Sequence, residues 1–208
     1  FFFVSAEKEK STGANASGAN LWTASQNGVA EVADNITRVK ESDLVSVQNH
    51  LINQWGYDPG RYQGYANEAN QFGNKFLARI DWNISDKHKA AFRYNVLSGE
   101  SMQVANGTSG PNPRSSWNRV SENSMAFESA NYSIKNVVSS LTAELNSSFN
   151  SQLSNKFLFT YSKIQDTRKT PNDQLFPFVD IWDGGGNYIS FGTELFSYLN
   201  EVVNNNFS

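Results

Sequence analysis

The sequence contains no cysteine, which excludes disulfide frameworks, thiolate nucleophiles and cysteine-held metals at the outset. Histidine is almost as scarce. His50 and His88 are the only two, one on an expected helix and one in an expected tight turn, so a shared metal site is a poor expectation. No apolar run approaches the ~18 residues of a membrane-spanning helix. Charge of one sign is missing as well: 17 Lys and Arg against 20 Asp and Glu leave a net charge of -3, with no basic field for nucleic acid or anionic lipid. Gly184-Gly185-Gly186 follows no strand-to-helix pattern and does not read as a phosphate cradle. Asp180, Asp183 and Asn187 offer hard oxygen ligands for Ca²⁺, but their spacing is foreign to an EF-hand and a loop turn is the default reading. No nucleophile, base and metal cluster can be assembled. The expectation is therefore no enzyme, no cofactor and no metal.

What the chain does have is alternation. From Asn74 to Asn83 one face carries Phe76, Ala78, Ile80 and Trp82, while the other carries Lys75, Arg79, Asp81 and Asn83 with Leu77 as the apolar exception. From Lys89 to Leu97 the division recurs, Ala90, Phe92, Tyr94 and Val96 against Lys89, Ala91, Arg93 and Asn95. A period of two is that of a strand, and arms of about ten residues match a tilted membrane-crossing strand. Apolar residues oppose apolar ones only in an even register. A three-residue turn at Asp86-Lys87-His88 would set Trp82 opposite Phe92 and pair Asp81 with Arg93. The same logic applied to 131–149 and 155–164 puts Phe149 opposite Phe157 and Leu145 opposite Tyr161, across a turn at Gln152-Leu153-Ser154.

Taken in order, the chain predicts strands over about 1–9, 74–84, 89–97, 131–149, 155–164 and 198–208, with Phe2, Val4 and Ala6 sharing a face of the first. Long loops, 10–73, 98–130 and 165–197, separate them, and they alternate strictly with the two short turns. The first loop contains the one convincing helix, Ser42 to Trp55, with Ser42 as N-cap and Gly56 as stop. Its stripe Leu44, Val47, Leu51 and Trp55 reads as packing onto its own loop, with a partner-binding helix as the lesser reading. Asn35 to Lys40 reads as a short strand, and Tyr57-Asp58-Pro59-Gly60 as a type I turn. Long loops at one end and short turns at the other characterise outer-membrane barrels. Trp82, Phe92, Phe149 and Phe157 fall near the short turns, where an aromatic girdle belongs. Both ends read as cuts through strands, which predicts an internal piece of a longer protein.

The phrases FFFVSAEKE, KFLARIDWNISDKHKAAFRYN, NVVSSLTAELNSSF, SNKFLFTYSKIQDTR and YISFGTELFSY resemble TonB-dependent outer-membrane receptors of Bacteroidetes, of the Oar-like type with a carboxypeptidase-regulatory-like N-terminal domain. The resemblance covers about half of the chain. It implies an all-β fold: about six antiparallel strands of a 22-stranded transmembrane β-barrel, with long extracellular loops and one loop helix. It further implies a plug and a TonB box, neither of which is in this sequence, and uptake of a large or scarce substrate (peptide, protein or glycan) driven by the inner-membrane proton-motive force. The partners implied are outer-membrane lipid and TonB, and the family leaves room for a surface lipoprotein or other outer-membrane subunit.

On this reading Lys75, Arg79, Asp81, Asn83, Arg93, Glu144 and Asn146 face the barrel lumen, bonded to a plug or to one another, or else lining a substrate path. Loop aromatics Trp22, Tyr62, Tyr65, Trp117 and Trp182 form a ligand-contact surface or, alternatively, each loop's own small core; Trp55 and Tyr57 belong to the same set, and for Trp55 the small core is expected. A reading from another class is a β-rich surface binding or adhesion module whose long loops engage a partner.

Overall fold

The alternating segments form strands that run further than their apolar residues do. The computed structural model describes residues 1–12, 22–65, 70–103, 105, 119–172, 174–184, 187–194 and 201–207. Strands β1 (Phe2–Thr12), β2 (Thr23–Ser25) and β3 (Ile36–Lys40) lead into helix α1 (Glu41–Trp55). Then come β4 (Asn70–Asn83), β5 (His88–Gln103), β6 (Met125–Ala126), β7 (Tyr132–Ser148), β8 (Ser154–Lys169), β9 (Val179–Trp182), β10 (Asn187–Phe191) and β11 (Glu201–Phe207). Six of these make one antiparallel sheet in the order β1-β4-β5-β7-β8-β11, an up-and-down meander once the loop elements are set aside. At 14, 16 and 16 residues, β4, β5 and β8 are longer than expected, while β7, at 17 residues, falls just inside the expected 131–149. The extra length lies at the long-loop end, where the residues are polar. Composition hides strands there because cross-strand hydrogen bonds do not require apolar side chains.

The registers are even, as the faces demand, but slide from the expected pairings. Ile80 faces Phe92 and Trp82 faces Ala90, a shift of two residues. Leu145 faces Phe157 and Leu141 faces Tyr161, a shift of four. Turn chemistry explains both. The Ile84 and Phe149 N–H groups donate to the carbonyls of His88 and Leu153, four residues on. The Ser85 hydroxyl accepts the N–H groups of Lys87 and His88 at 3.3 and 3.2 Å, and the Asn150 side-chain oxygen accepts those of Gln152 and Leu153 at 2.8 Å. One turn is thus built twice, with a side-chain acceptor at its second position replacing a backbone partner. Traced across the sheet, Phe149 and Leu153 stand two residues beyond the level of Ile84 and His88.

The register strings the apolar residues into rows. Trp82, Ala90, Leu145 and Phe157 form one; Phe2, Ile80, Phe92, Ala143 and Phe159 the next; Val4, Ala78, Tyr94, Leu141 and Tyr161 a third. The row above begins Ala6, Phe76, Val96 and ends Ser139, Lys163, so the band stops two residues lower on the second hairpin than on the first. Nothing packs over it among the described residues: Ile80, Trp82 and Phe157 are 55%, 58% and 57% exposed.

The buried core lies in the loops. Val39, Leu44, Leu51 and Tyr57 of the first loop join Met125 and Phe127 of the second and Ile189 and Phe191 of the third in one cluster. Strands β6, β10 and β9 make a three-stranded sheet, and its parallel β6–β10 pair ties the second loop to the third. The three loops thus form a single cap. Helix α1 starts one residue earlier than expected, and Ser42 is not its N-cap: Lys40 holds that place with no side-chain cap. Gly56 does stop it, at φ 62°, with its N–H on the Ile52 carbonyl. Leu44 and Leu51 of the stripe are buried and Val47 packs against the core. At Tyr57–Gly60 the Asp58 carboxylate accepts the Gly60 N–H at 2.9 Å, an Asx turn where a type I turn was expected.

Candidate functional site

Strand alternation and register bring Lys75, Arg79, Asp81, Asn83, Arg93, Glu144 and Asn146 onto the same face of the sheet, opposite the apolar band. Their partners differ from expectation in one respect. Asp81 does not pair with Arg93. It lies opposite Ala91 and receives the Arg79 guanidinium, two residues away on its own strand, through bonds of 2.8 to 3.0 Å. The two-residue slide in register is the cause, and it sets Arg79 directly opposite Arg93. Elsewhere on this face Lys75 bridges to Glu7 at 3.0 Å, with Glu9 at 3.8 Å. Lys156 bridges to Glu144 at 3.1 Å, and the Asn146 amide donates to the same carboxylate at 2.6 Å. The Ser140 hydroxyl donates to Asn95 at 2.8 Å. The face is therefore a polar wall that mostly satisfies itself.

The cap is cross-linked by charge as well as by its core. Arg119, only 1% exposed, makes two 2.8 Å bonds to Asp180, lies over the Phe178 ring at 4.6 Å, and shares Asp180 with the Ser190 hydroxyl at 2.7 Å. Arg38 pairs with Asp183, which raises its pKa, and also lies over the Tyr188 ring. Arg61 forks onto Glu128 with two 3.0 Å bonds. Arg168, at the top of β8, meets the buried Glu194 at 3.2 Å. The first three pairs join different loops, and the fourth ties a loop to the sheet. Sequence reading missed all four, because partners up to 145 residues apart leave no local signal. Asp180 and Asp183, candidate Ca²⁺ ligands by their chemistry, are the arginines' partners, and no group of metal-ligating side chains occurs among the described residues.

The loop aromatics divide. Tyr65 is buried and donates to the Ala126 carbonyl at 2.8 Å; burial pushes its hydroxyl well above the ordinary phenol range. Tyr57 is buried and stacks on Phe176 with centroids 4.2 Å apart. Trp22 and Tyr62 pack half-buried against the core, the Tyr62 hydroxyl donating to Glu41 at 2.8 Å. That bond raises the Tyr62 pKa and holds the Glu41 carboxylate below its usual value. Tyr57 and Tyr65 are interior and Trp22 and Tyr62 flank the core, so of the two readings these four follow the small-core one. Trp55 departs the other way, 64% exposed with only its ring edge on Phe176. Trp182 stays at the surface of β9, 45% exposed. Trp117 lies outside the described residues, as does the expected Gly110-Pro111-Asn112-Pro113 loop segment.

The cap also holds an open cavity of about 480 Å³ where its three loops meet, lined by Gly56, Asp58 and Gly60, by Glu128 and Ser129, and by Asn172 and Gln174. No family model, curated protein or solved structure matches the chain. Its function has therefore to be read from its geometry. No helix among the described residues is long and apolar enough to cross a membrane, and strands are not addressed by that statement.

Proposed function

We propose that this chain is a wall segment of an outer-membrane β-barrel importer, with its apolar face against lipid, its charged face toward the interior and its cap at the cell surface. The observation that carries the reading is the apolar band. Two rows of aromatic and aliphatic residues cross five strands and a third crosses four, and no described element covers them. From Phe76 to Ile84 the band runs about 27 Å along the strand at ~3.4 Å per residue, enough for much of a hydrocarbon core. In water such a face would collapse onto something, whereas in lipid it is already in its solvent.

The resemblance to Oar-like TonB-dependent receptors supports uptake of a peptide, protein or glycan, energised through TonB by parts outside this sequence. The function is transport, not catalysis. A second reading, a surface module that binds a partner through its loops, draws on the shared core of the cap and differs in what covers the sheet.

Single cysteines at Ile80 and Trp82, and at Arg79 and Asp81, in the full-length protein in its native membrane separate the two. The importer requires that a lipid-soluble reagent label the first pair and a water-soluble one, or neither, the second. Protection of Ile80 and Trp82 from both reagents, with Arg79 and Asp81 open to water, would transfer the chain to the binding-module class.

A further inference from the structure

The face that carries the apolar band changes character toward the long loops. Followed upward by register, β1 passes from Val4 and Ala6 to Lys8 and Lys10, and β8 from Phe159 and Tyr161 to Lys163 and then Lys169, while β7 brings Lys135 onto the same face. On β1, β4, β5, β7 and β8 these lysines meet a single acidic residue on that face, Glu100. Glu100 stands across from Lys135 but accepts the Ser133 hydroxyl at 2.9 Å, and among the described residues no lysine of the belt has a carboxylate within ion-pair distance. The acids of the same stretch lie on the other face: Glu7 and Glu9 alternate with Lys8 and Lys10 along β1 and turn to Lys75. A net charge of -3 therefore hides a basic belt that the sequence reading did not expect, because strand alternation sends the two signs to opposite faces. The other rim has no such belt. Below the band the row on this face reads His88, Ser147 and Asn155, without a lysine or arginine.

We infer that this belt binds the phosphate groups of lipids in the leaflet at the long-loop end. The inference rests on the proposed barrel, which sets this face in lipid and the long loops outside. Sign names the ligand's chemistry. Carboxylates would solvate a rim as well as ammonium groups do, so a belt of lysines with Glu100 as its one acid is suited to an anion. Position names the source. Lys8 follows Ala6 and Lys163 follows Tyr161 as the first residue on this face beyond the band, about 7 Å above it at ~3.4 Å per residue. Yet Lys163 stands in the row of Ala6, Phe76 and Val96, one row below Lys8. The belt thus follows the slanted edge of the apolar band and not the rows of the sheet, as a boundary set by a bilayer would across leaning strands. At that depth a lysine keeps its methylenes along the apolar surface while its ammonium group reaches the headgroups. Beside the belt the Lys10 ammonium lies 5.9 Å from the centre of the Phe72 ring, a cation held at the edge of an aromatic zone.

The full-length protein, purified in a neutral detergent, is titrated with diphosphorylated lipid A and with the same lipid after removal of its phosphates, and bound lipid is counted by native mass spectrometry. The phosphorylated form should bind at least about 10-fold more tightly. Replacing Lys135, Lys163 and Lys169 together by Gln should weaken it about 100-fold, at about fivefold for each basic residue at an anionic surface, and arginine at the same three positions should preserve it. Lys87→Gln, in the short turn below the band, should change nothing. Equal binding of the two lipids, or unchanged binding by the triple variant, would overturn the inference and leave the belt a solvated rim. Displacement of lipid A by millimolar inorganic phosphate would overturn it in favour of a free anion, and a loss from Lys87→Gln equal to that from Lys163→Gln would reduce it to unlocalised attraction. Should the triple variant fail to fold, the comparison of the two lipids on the unaltered protein still decides. Failure here with lipid labelling of Ile80 and Trp82 intact would leave the barrel standing and remove only its headgroup contact, whereas loss of that labelling would remove both.

Discussion

The sheet and the cap use opposite solutions to one problem. In the cap, apolar residues from three distant loops converge on a dry core around Phe127 and Leu44, and each charge that enters brings its partner, as Arg119 brings Asp180. In the sheet the largest aromatic and aliphatic side chains share one face and stay exposed, while the charges at that level gather on the other. A water-soluble domain of this size would bury the first set. One polypeptide therefore follows two rules of burial, and each region makes sense only in its own surroundings.

The contrast is put under most strain within the cap. Asp180→Ala leaves the Arg119 guanidinium buried and without its carboxylate; removing one partner of a buried pair costs about 3–5 kcal/mol. Hydrogen exchange should show faster opening of β6, β9 and β10 while β4, β5 and β7 keep their protection. Equal loss in both regions would mean that cap and sheet fold as one unit. Ile80→Arg attacks the other side. On the proposed lipid face a cation costs about 2–4 kcal/mol near the bilayer midplane, to be measured by denaturant unfolding in vesicles. Ala91→Arg, on the charged face of the neighbouring strand, should cost clearly less, and equal costs would contradict the polarity of the faces.

Smaller effects test the turns and the cap's polar contacts. Asn150→Ala removes the acceptor of two backbone N–H groups and should cost about 1 kcal/mol, as loss of a helix cap does. Ser85→Ala should cost less, its bonds being longer. In the cap, the Tyr62 hydroxyl and then the Gln26 amide hold the Glu41 pKa below its ordinary value. A depressed carboxylate contributes stability that is present above its unfolded-state pKa and is lost as pH falls through the folded one. Tyr62→Phe should move the Glu41 titration, followed by NMR, upward toward the ordinary value and narrow that acid-sensitive window.

Much of the sheet was legible because period two is a local signal: Phe76 to Trp82 and Ala90 to Val96 declare their faces residue by residue. Register was legible only to its parity. Which even offset wins depends on Ser85 and Asn150 closing five-residue turns, and a polar residue at a turn does not state which N–H groups it will accept. The polar tops of β5 and β8 carry no alternation at all. Of the candidate surface, the shared face of Lys75, Arg79, Asp81, Asn83, Arg93, Glu144 and Asn146 came from alternation, while the pairing of Asp81 with Arg79 did not. The cap was the least legible part. Tyr57 and Tyr65 look no different in sequence from the exposed Trp182, since burial there is decided by residues from other loops.

The two-residue offset between the hairpin turns has a geometric consequence. Neighbouring strands are ~4.8 Å apart and residues ~3.3 Å apart along them, so a step of two residues over two strands is a climb of about 6.6 Å in 9.6 Å. If both turns rest on one plane, the strands lean about 35° from its normal, at the lower end of the inclination that closed barrels adopt. One residue of stagger per strand is also the proportion of shear to strand number in an eight-stranded barrel of shear eight, and lean depends on that proportion and not on how many strands there are. Six strands are therefore enough to fix the pitch of the proposed barrel without revealing its circumference.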